Sequence, residues 1–126
     1  MIILEILAVA LGGAVGAPLR FAAERAGASV TTSWPVGTFA ANMIGSLVAG
    51  FSAAFFVYGH NGNWHLLGYA LISVGLCGAL TTFSSFCLQI IDFAENKPSV
   101  AWAYSVGSLV LGLILATIGY QIGSGL

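Results

Sequence analysis

Charged residues are nearly missing from this chain of 126 residues. Lysine and arginine together number 3 and aspartate and glutamate 4, so that 6% of the residues are charged and 59% are hydrophobic. A water-soluble domain carries about 25% charged residues, because its surface must face solvent. The composition therefore excludes a soluble fold, and the net charge of −1 gives no support to nucleic-acid binding.

Residue patterns typical of enzymes and metal sites are also missing. The two cysteines, Cys77 and Cys87, form no Cys-x-x-Cys or Cys/His pattern, which favours buried thiols over a disulfide or a metal site. There is no nucleophile–base–acid set and no phosphate-binding loop, so catalysis is not expected. The start, from Met1 to Glu5, lacks the basic leader of a secretory signal, which predicts a retained first helix.

The chain is rich in long apolar segments. A membrane crossing takes about 20 residues, so four spans with short connections use nearly all of the sequence. We predict an all-α membrane protein with a single domain, residues 1–126, whose four transmembrane helices cover about 2–23, 36–58, 66–94 and 100–122. A first loop is predicted from Glu24 to Pro35, and a tight turn at 59–63.

The third span is interrupted in its middle by glycines and hydroxyl residues. Residues 75–86 read GLCGALTTFSSF, a sequence that loosens a helix and frees backbone carbonyls. Lipid cannot satisfy such groups, so a break at bilayer depth persists only inside protein or along a hydrated path. The sequence therefore predicts a third helix broken at its centre, and it favours an ion pathway.

Uncharged polar and aromatic side chains lie where such a pathway would need them. Leaving the amide of Asn42 unpaired in hydrocarbon would cost about 4–8 kcal/mol, so it either bonds another helix or donates to a passing anion. Phe83 and Phe86 share a helical face, with Ser84 and Ser85 between them. Single rings usually pack against neighbours or lipid, but two positive ring edges in a narrow path would favour an anion.

The fourth span and the first span add further candidates. Tyr104, Ser108 and Gly112 recur every four residues, which places two hydroxyl groups on one stripe. A serine that bonds the carbonyl of its own helix is the ordinary alternative. Arg20 is the only cation within a predicted span. It is either an anchor that reaches the headgroups or the source of a positive vestibule.

The few basic residues give little information about orientation. Arg25 and Lys97 lie on one predicted side of the membrane and Arg20 lies near it, a bias of only two or three charges. A chain with so weak a bias can insert in both directions, which would permit antiparallel pairs. A single orientation with this side in the cytoplasm is the alternative.

Taken together, these residues resemble the Fluc (CrcB) family of small fluoride channels, and the likeness covers essentially the whole chain. The matching elements are Gly12-Gly13-x-x-Gly16-x-x-x-Arg20, Pro35-x-Gly37-Thr38-x-x-x-Asn42-x-x-Gly45, Gly75-x-x-Gly78-x-Leu80-Thr81-Thr82-Phe83-Ser84-x-Phe86 and Tyr104-x-x-x-Ser108. The third of these is the most specific. Two departures are Gln89, where the family often has an acid, and Gly112 with Ala116, where its hydroxyl stripe can extend.

The resemblance implies a passive channel of the cell (inner) membrane that exports fluoride from the cytoplasm down its gradient. It implies an antiparallel, dual-topology homodimer in the lipid bilayer with two fluoride pores. The implied ion pathway consists of Asn42, Phe83, Ser84, Ser85, Phe86, Tyr104 and Ser108, with Arg20 at the vestibule. The backbone carbonyls of Gly78 and Thr81 from both subunits would hold a structural Na⁺ at the dimer centre.

Two other function classes fit the length and the composition. A small four-helix multidrug or cation exporter relies on an acidic residue inside its first helix, where this chain offers only the terminal Glu5. A non-transporting scaffold would use the small residues for helix packing alone. Fluoride flux through vesicles would separate the channel from both.

Overall fold

The computed structural model describes residues 1–58 and 62–125, and nearly all of them are helical. The elements are α1 (Ile2–Val30), α2 (Val36–Ala53), the π-helix π1 (Ala54–Tyr58), α3 (Asn63–Tyr69), the π-helix π2 (Ala70–Cys77), α4 (Gly78–Leu80), α5 (Phe83–Asn96) and α6 (Pro98–Ser124). Residues 59–61 of the predicted turn lie outside the described residues.

Within the described residues, four helical stretches are long and apolar enough to cross a membrane. They are Ile2–Val30, Val36–Val57, Asn63–Asn96 and Pro98–Ser124. In the most apolar part of each stretch only 11–28% of the residues are buried inside the chain. Such apolar helices, exposed over most of their surface, require lipid around them. The prediction of an all-α membrane protein is confirmed.

The first helix is longer than the predicted span. It continues to Val30, through residues predicted as loop, and Thr31 then adopts an extended backbone. Close packing explains the extra turns, because Gly27 and Gly37 let the backbones of α1 and α2 approach each other. A Cβ on Gly27 would overlap the backbone nitrogen of Gly37, and one on Gly37 would overlap the carbonyl oxygen of Ala23. Only residues 31–35 connect the two helices.

Glycines also set the two main helix crossings. Where α2 crosses α6, a Cβ on Gly50 would overlap the carbonyl oxygen of Ala116. Where α1 crosses π2, a Cβ on Gly12 would overlap the carbonyl oxygen of Leu71. Helices in membranes associate through such close approaches, since lipid removes the hydrophobic driving force between them. The crossings pair α2 with α6 and hold the third stretch against α1.

The helical backbone of the third stretch is interrupted between α4 and α5. Thr81 (φ −78°, ψ 154°) and Thr82 (φ −146°, ψ 125°) are both extended, and α5 begins at Phe83. The Thr82 Oγ1 atom accepts a hydrogen bond from the backbone nitrogen of Ser85 at 3.3 Å, and so caps α5. Gly45 of α2 makes room for this segment, because a Cβ there would overlap the Thr81 side chain.

Candidate functional site

Asn42 pairs with the interrupted backbone. Its Oδ1 atom accepts from the backbone nitrogen of Thr82 at 2.8 Å, and its Nδ2 atom donates to the carbonyl oxygen of Thr82 at 3.2 Å. One side chain thus satisfies both backbone groups of a residue that has left the helix. The interhelical bond considered for Asn42 is present. A carboxamide carries two N–H donors, so one N–H of Asn42 is left for another partner.

The interruption removes the usual helical donors from the backbone carbonyls beside it, and those of Gly78 and Thr81 are among them. In an α-helix the carbonyl of residue i accepts from the nitrogen of residue i+4. For Gly78 that donor is Thr82, which bonds Asn42, and for Thr81 it is Ser85, which bonds the Thr82 hydroxyl. Gly78 is exposed on the chain, with open space where a Cβ would stand. The two carbonyls predicted to bind a cation are therefore ones whose helical donors are engaged elsewhere.

An open groove of about 510 Å³, the central groove, runs beside the interruption. Its lining includes the predicted residues Asn42, Gly78, Thr81, Phe83, Phe86 and Ser108. Phe86 is buried in the wall, whereas Phe83 is 76% exposed and projects from the chain. Their ring centroids lie 6.0 Å apart with planes at 40°. The groove is open along one side of the single chain.

Ser108 has an unusual hydroxyl group. The residue is 8% exposed, and its Oγ atom is buried without a hydrogen-bond partner among the described residues. Ser105 on the same helix instead donates to the carbonyl oxygen of Ala101 at 2.6 Å. The ordinary alternative of self-bonding is therefore found at Ser105 but not at Ser108. Leaving a buried hydroxyl unpaired costs about 1–3 kcal/mol, which points to a ligand or water in the groove.

Tyr104 connects the central groove with a second one. Its ring centroid lies 5.3 Å from that of Phe86, while its hydroxyl donates to Gln89 Oε1 at 2.7 Å. Gln89 Nε2 in turn donates to Thr38 Oγ1 at 2.8 Å. Gln89 and Thr38 line a side groove of about 530 Å³ together with Glu24. The Tyr104 proton is directed at Gln89 and the residue lines neither groove, so its ring packs behind Phe86 and its hydrogen does not reach the central groove.

The other predicted site residues lie away from the central groove. Ser85 lines the side groove and donates to Glu24 Oε1 at 3.4 Å. Ser84 is exposed and hydrogen-bonds the Thr82 hydroxyl at 3.2 Å. Arg20 is partly buried on α1 and lines neither groove. The structure thus divides the predicted pathway into a central cluster, a connecting tyrosine and an outlying group.

Sequence reasoning missed the roles of three residues. The sequence analysis named Thr38 only as part of a family motif and Gln89 only as a departure from the family pattern. In the structure both residues belong to the chain of hydrogen bonds that ends at Tyr104. Thr82 was seen as a hydroxyl group, although its backbone is what Asn42 binds. A signal was present, since Thr38 precedes Asn42 by one helical turn and Gln89 follows Phe86 by three residues.

Comparison with known proteins gives consistent matches over nearly the whole chain. The protein-family model described as "CrcB-like protein, Camphor Resistance (CrcB)" matches residues 7–120. A protein of Paracoccus denitrificans (strain Pd 1222) named "Fluoride-specific ion channel FluC" is 36% identical over 121 residues, covering 95% of this chain and 94% of the relative. One of the same name from Aquifex aeolicus (strain VF5) is 36% identical over 123 residues, covering 96% and 98%. The "Fluoride-specific ion channel FluC 2" of Bacillus subtilis (strain 168) is 35% identical over 119 residues, covering 92% and 85%.

Proposed function

This chain belongs to the CrcB family, and on that premise we propose that it is a passive, fluoride-selective ion channel. Fluoride would leave the cytoplasm down its concentration gradient through the central groove. The observation that carries the proposal is the lining of that groove. There, one amide N–H of Asn42 and the hydroxyl of Ser108 have no partner among residues 1–58 and 62–125, and two phenylalanine rings accompany them. These are donors without a fixed charge.

Neutral donors suit the transport of a small, strongly hydrated anion. The main barrier to fluoride is the loss of its water shell, so a pathway must replace water with a series of donors. The binding must also be weak enough for the ion to leave, and a buried lysine or arginine would hold it too firmly. Amide and hydroxyl hydrogens and the positive edges of Phe83 and Phe86 meet both demands. A larger halide would need a wider passage.

A second copy of the chain is the partner that would close the central groove. The groove is open in the single chain, and the few polar groups in its largely apolar lining cannot face acyl chains without losing several kcal/mol. The weak charge bias permits two copies to insert in opposite directions. An antiparallel, dual-topology homodimer would bring two such grooves together and enclose the exposed ring of Phe83. Each groove would then become a closed pathway between protein surfaces.

A structural Na⁺ fits the interruption of the third stretch. Backbone carbonyls are hard oxygen ligands, and those of Gly78 and Thr81 lack their helical donors. In the proposed dimer the carbonyls of both copies would converge on the ion, whose charge would offset the repulsion between their dipoles. The third helix, broken at the centre of its span, would then serve two purposes: it would hold the cation and shape the anion pathway.

Anion efflux from lipid vesicles tests the proposed function. We expect purified protein to release fluoride rapidly and chloride very slowly, as measured with ion-selective electrodes. The Phe86→Ile variant should lose at least about tenfold in fluoride flux, because it removes a ring edge from the groove wall. The matched control is Phe21→Ile, whose side chain is 61% exposed on α1. Equal fluoride and chloride rates, or proton-coupled exchange of cationic drugs in place of fluoride flux, would refute the proposal.

A further inference from the structure

The central groove has a hydroxyl group on α2 that the predicted pathway does not include. Ser46 lines the groove together with Asn42, which precedes it by one helical turn on the same face. Beside Ser46, on α6, lies Gly112, the residue at which the hydroxyl stripe of the fourth span ends. A Cβ on Gly112 would stand 3.5 Å from the Ser46 Oγ atom. The Ser46 hydroxyl therefore lies where a side chain at position 112 would point.

The hydroxyl of Ser46 is also uncommitted. It makes no hydrogen bond within the described residues. Other helical hydroxyls bond the carbonyls of their own helix, as Ser105 does with Ala101 at 2.6 Å and Thr117 with Leu113 at 2.8 Å. A serine in a membrane helix usually makes this bond because no water is at hand. Its absence at a groove-lining serine leaves the proton free to donate into the groove.

A second, independent observation points to a ligand beside Ser46. Ser108 lines the same groove, is 8% exposed, and its Oγ atom is buried without a partner in the described part of the chain. Ser108 lies one helical turn before Gly112 on α6. An unsatisfied hydroxyl on α6 and an uncommitted one on α2 thus border one groove, and neither helix supplies the missing acceptor. An anion in the groove would satisfy both.

We propose that Ser46 is a further ion-contacting residue. It lies on α2 and supplies the hydroxyl group that position 112 of α6, a glycine in this chain, does not supply. The proposal rests on the proposed function, because the ligand it assigns to Ser46 is the conducted fluoride ion. The ion would move from Asn42 and Ser108 to Ser46. The series of hydrogen-bond donors would thus continue on α2 beyond the point where the hydroxyl stripe on α6 ends. Gly112 leaves the space that the Ser46 hydroxyl uses.

The test moves the hydroxyl group from position 46 on α2 to position 112 on α6. Ser46→Ala should lower fluoride efflux from vesicles about tenfold or more, because it removes a hydrogen bond to a charged partner. Adding Gly112→Ser should restore most of the lost flux, since the nearest atoms to a Cβ there lie at 3.5 and 3.7 Å, which is ordinary van der Waals contact. Ser105→Ala is the control, because the Ser105 hydroxyl bonds its own helix.

The outcomes are separable from those of the proposed function. Ser46→Cys keeps the size of the side chain but has only a weak donor, so it should lower flux even if the alanine variant fails to assemble. Wild-type flux in Ser46→Ala or in Ser46→Cys would overturn the proposal while leaving the channel intact. A double variant no faster than Ser46→Ala would also overturn it. A wild-type protein that passes no fluoride would refute the channel itself, and this assignment with it.

Discussion

At the scale of single residues, Gln89 shows why an amide is not equivalent to a carboxylate. It donates to the Thr38 hydroxyl and accepts from the Tyr104 hydroxyl at the same time. A carboxylate could accept from both residues but could donate to neither. With glutamine at this position Thr38 serves as an acceptor, and its own hydrogen is left for a partner at the side groove. The departure at position 89 therefore sets the direction of the hydrogen bonds around Tyr104.

We expect Gln89→Leu to lower the stability of the protein by about 1–3 kcal/mol, because it leaves the buried Tyr104 hydroxyl without an acceptor. The measurement is the thermal or denaturant midpoint of the purified protein in detergent. Gln121→Leu is the matched control, since residue 121 is exposed near the end of α6. Equal losses of stability in the two variants would contradict a special role for the pair of hydrogen bonds.

Residue types could be predicted from the sequence, but their partners could not. Asn42 and Phe86 were assigned to a pathway, and both line the central groove. That Asn42 bonds Thr82, 40 positions along the chain, depends on the rotation of α2 against the third stretch. Ser46 escaped notice for the same reason, because a serine among small residues carries no sign of which side chain faces it. The sequence predicts which residues share a face of one helix. It does not predict which residues of another helix they contact, because that depends on how the two helices cross.

At the scale of elements, backbone contact between helices fixes where the grooves lie. The α2–α6 crossing at Gly50 brings Ser46 next to Gly112 in the lining of the central groove. The length of α1 was not predicted, because its last turns depend on the contact of Gly27 with Gly37 and not on local sequence.

Gly50→Ala should destabilise the helix pair by about 1–3 kcal/mol, because the added methyl group would overlap the Ala116 carbonyl and force α2 away from α6. Gly107→Ala on α6 is the control, since a Cβ there meets no atom within 4 Å. Alanine favours a helix over glycine by up to about 1 kcal/mol, so the control should be neutral or slightly stabilised. Unfolding midpoints of both variants in detergent test this pair of expectations, and a stabilised Gly50→Ala protein would contradict them.

At the scale of the whole molecule, the single chain has an apolar exterior that is interrupted by the open central groove. Its apolar exterior suits lipid, but the central groove exposes polar groups along one side. Composition alone predicted the membrane location and the four spans. It could not predict the open groove, because a groove exists only after the helices have packed. The proposed second copy would cover this groove, and the proposed cation would bind the carbonyls that the helix interruption frees.

Replacing Na⁺ with a large organic cation should lower the stability of the proposed dimer. A ligand that binds only the assembled state stabilises it by about 2.7 kcal/mol at a concentration 100 times its dissociation constant. The fraction of dimer in detergent, measured by size-exclusion chromatography during heating, should therefore fall when Na⁺ is removed. Potassium, a larger ion, serves as a second comparison. Identical melting of the dimer in all three salts would argue against a sodium site at Gly78 and Thr81.

The two hydrogen bonds between Asn42 and Thr82 have a consequence for how the protein is made. Both bonds lie within one chain, so the backbone can adopt its unwound form as soon as the second and third spans meet in the membrane. In the proposed dimer a newly inserted protomer would be preorganised, and it would not have to melt a helix when it meets another protomer. Assembly of the proposed dimer would then be the docking of two preformed surfaces, without refolding of the third helix.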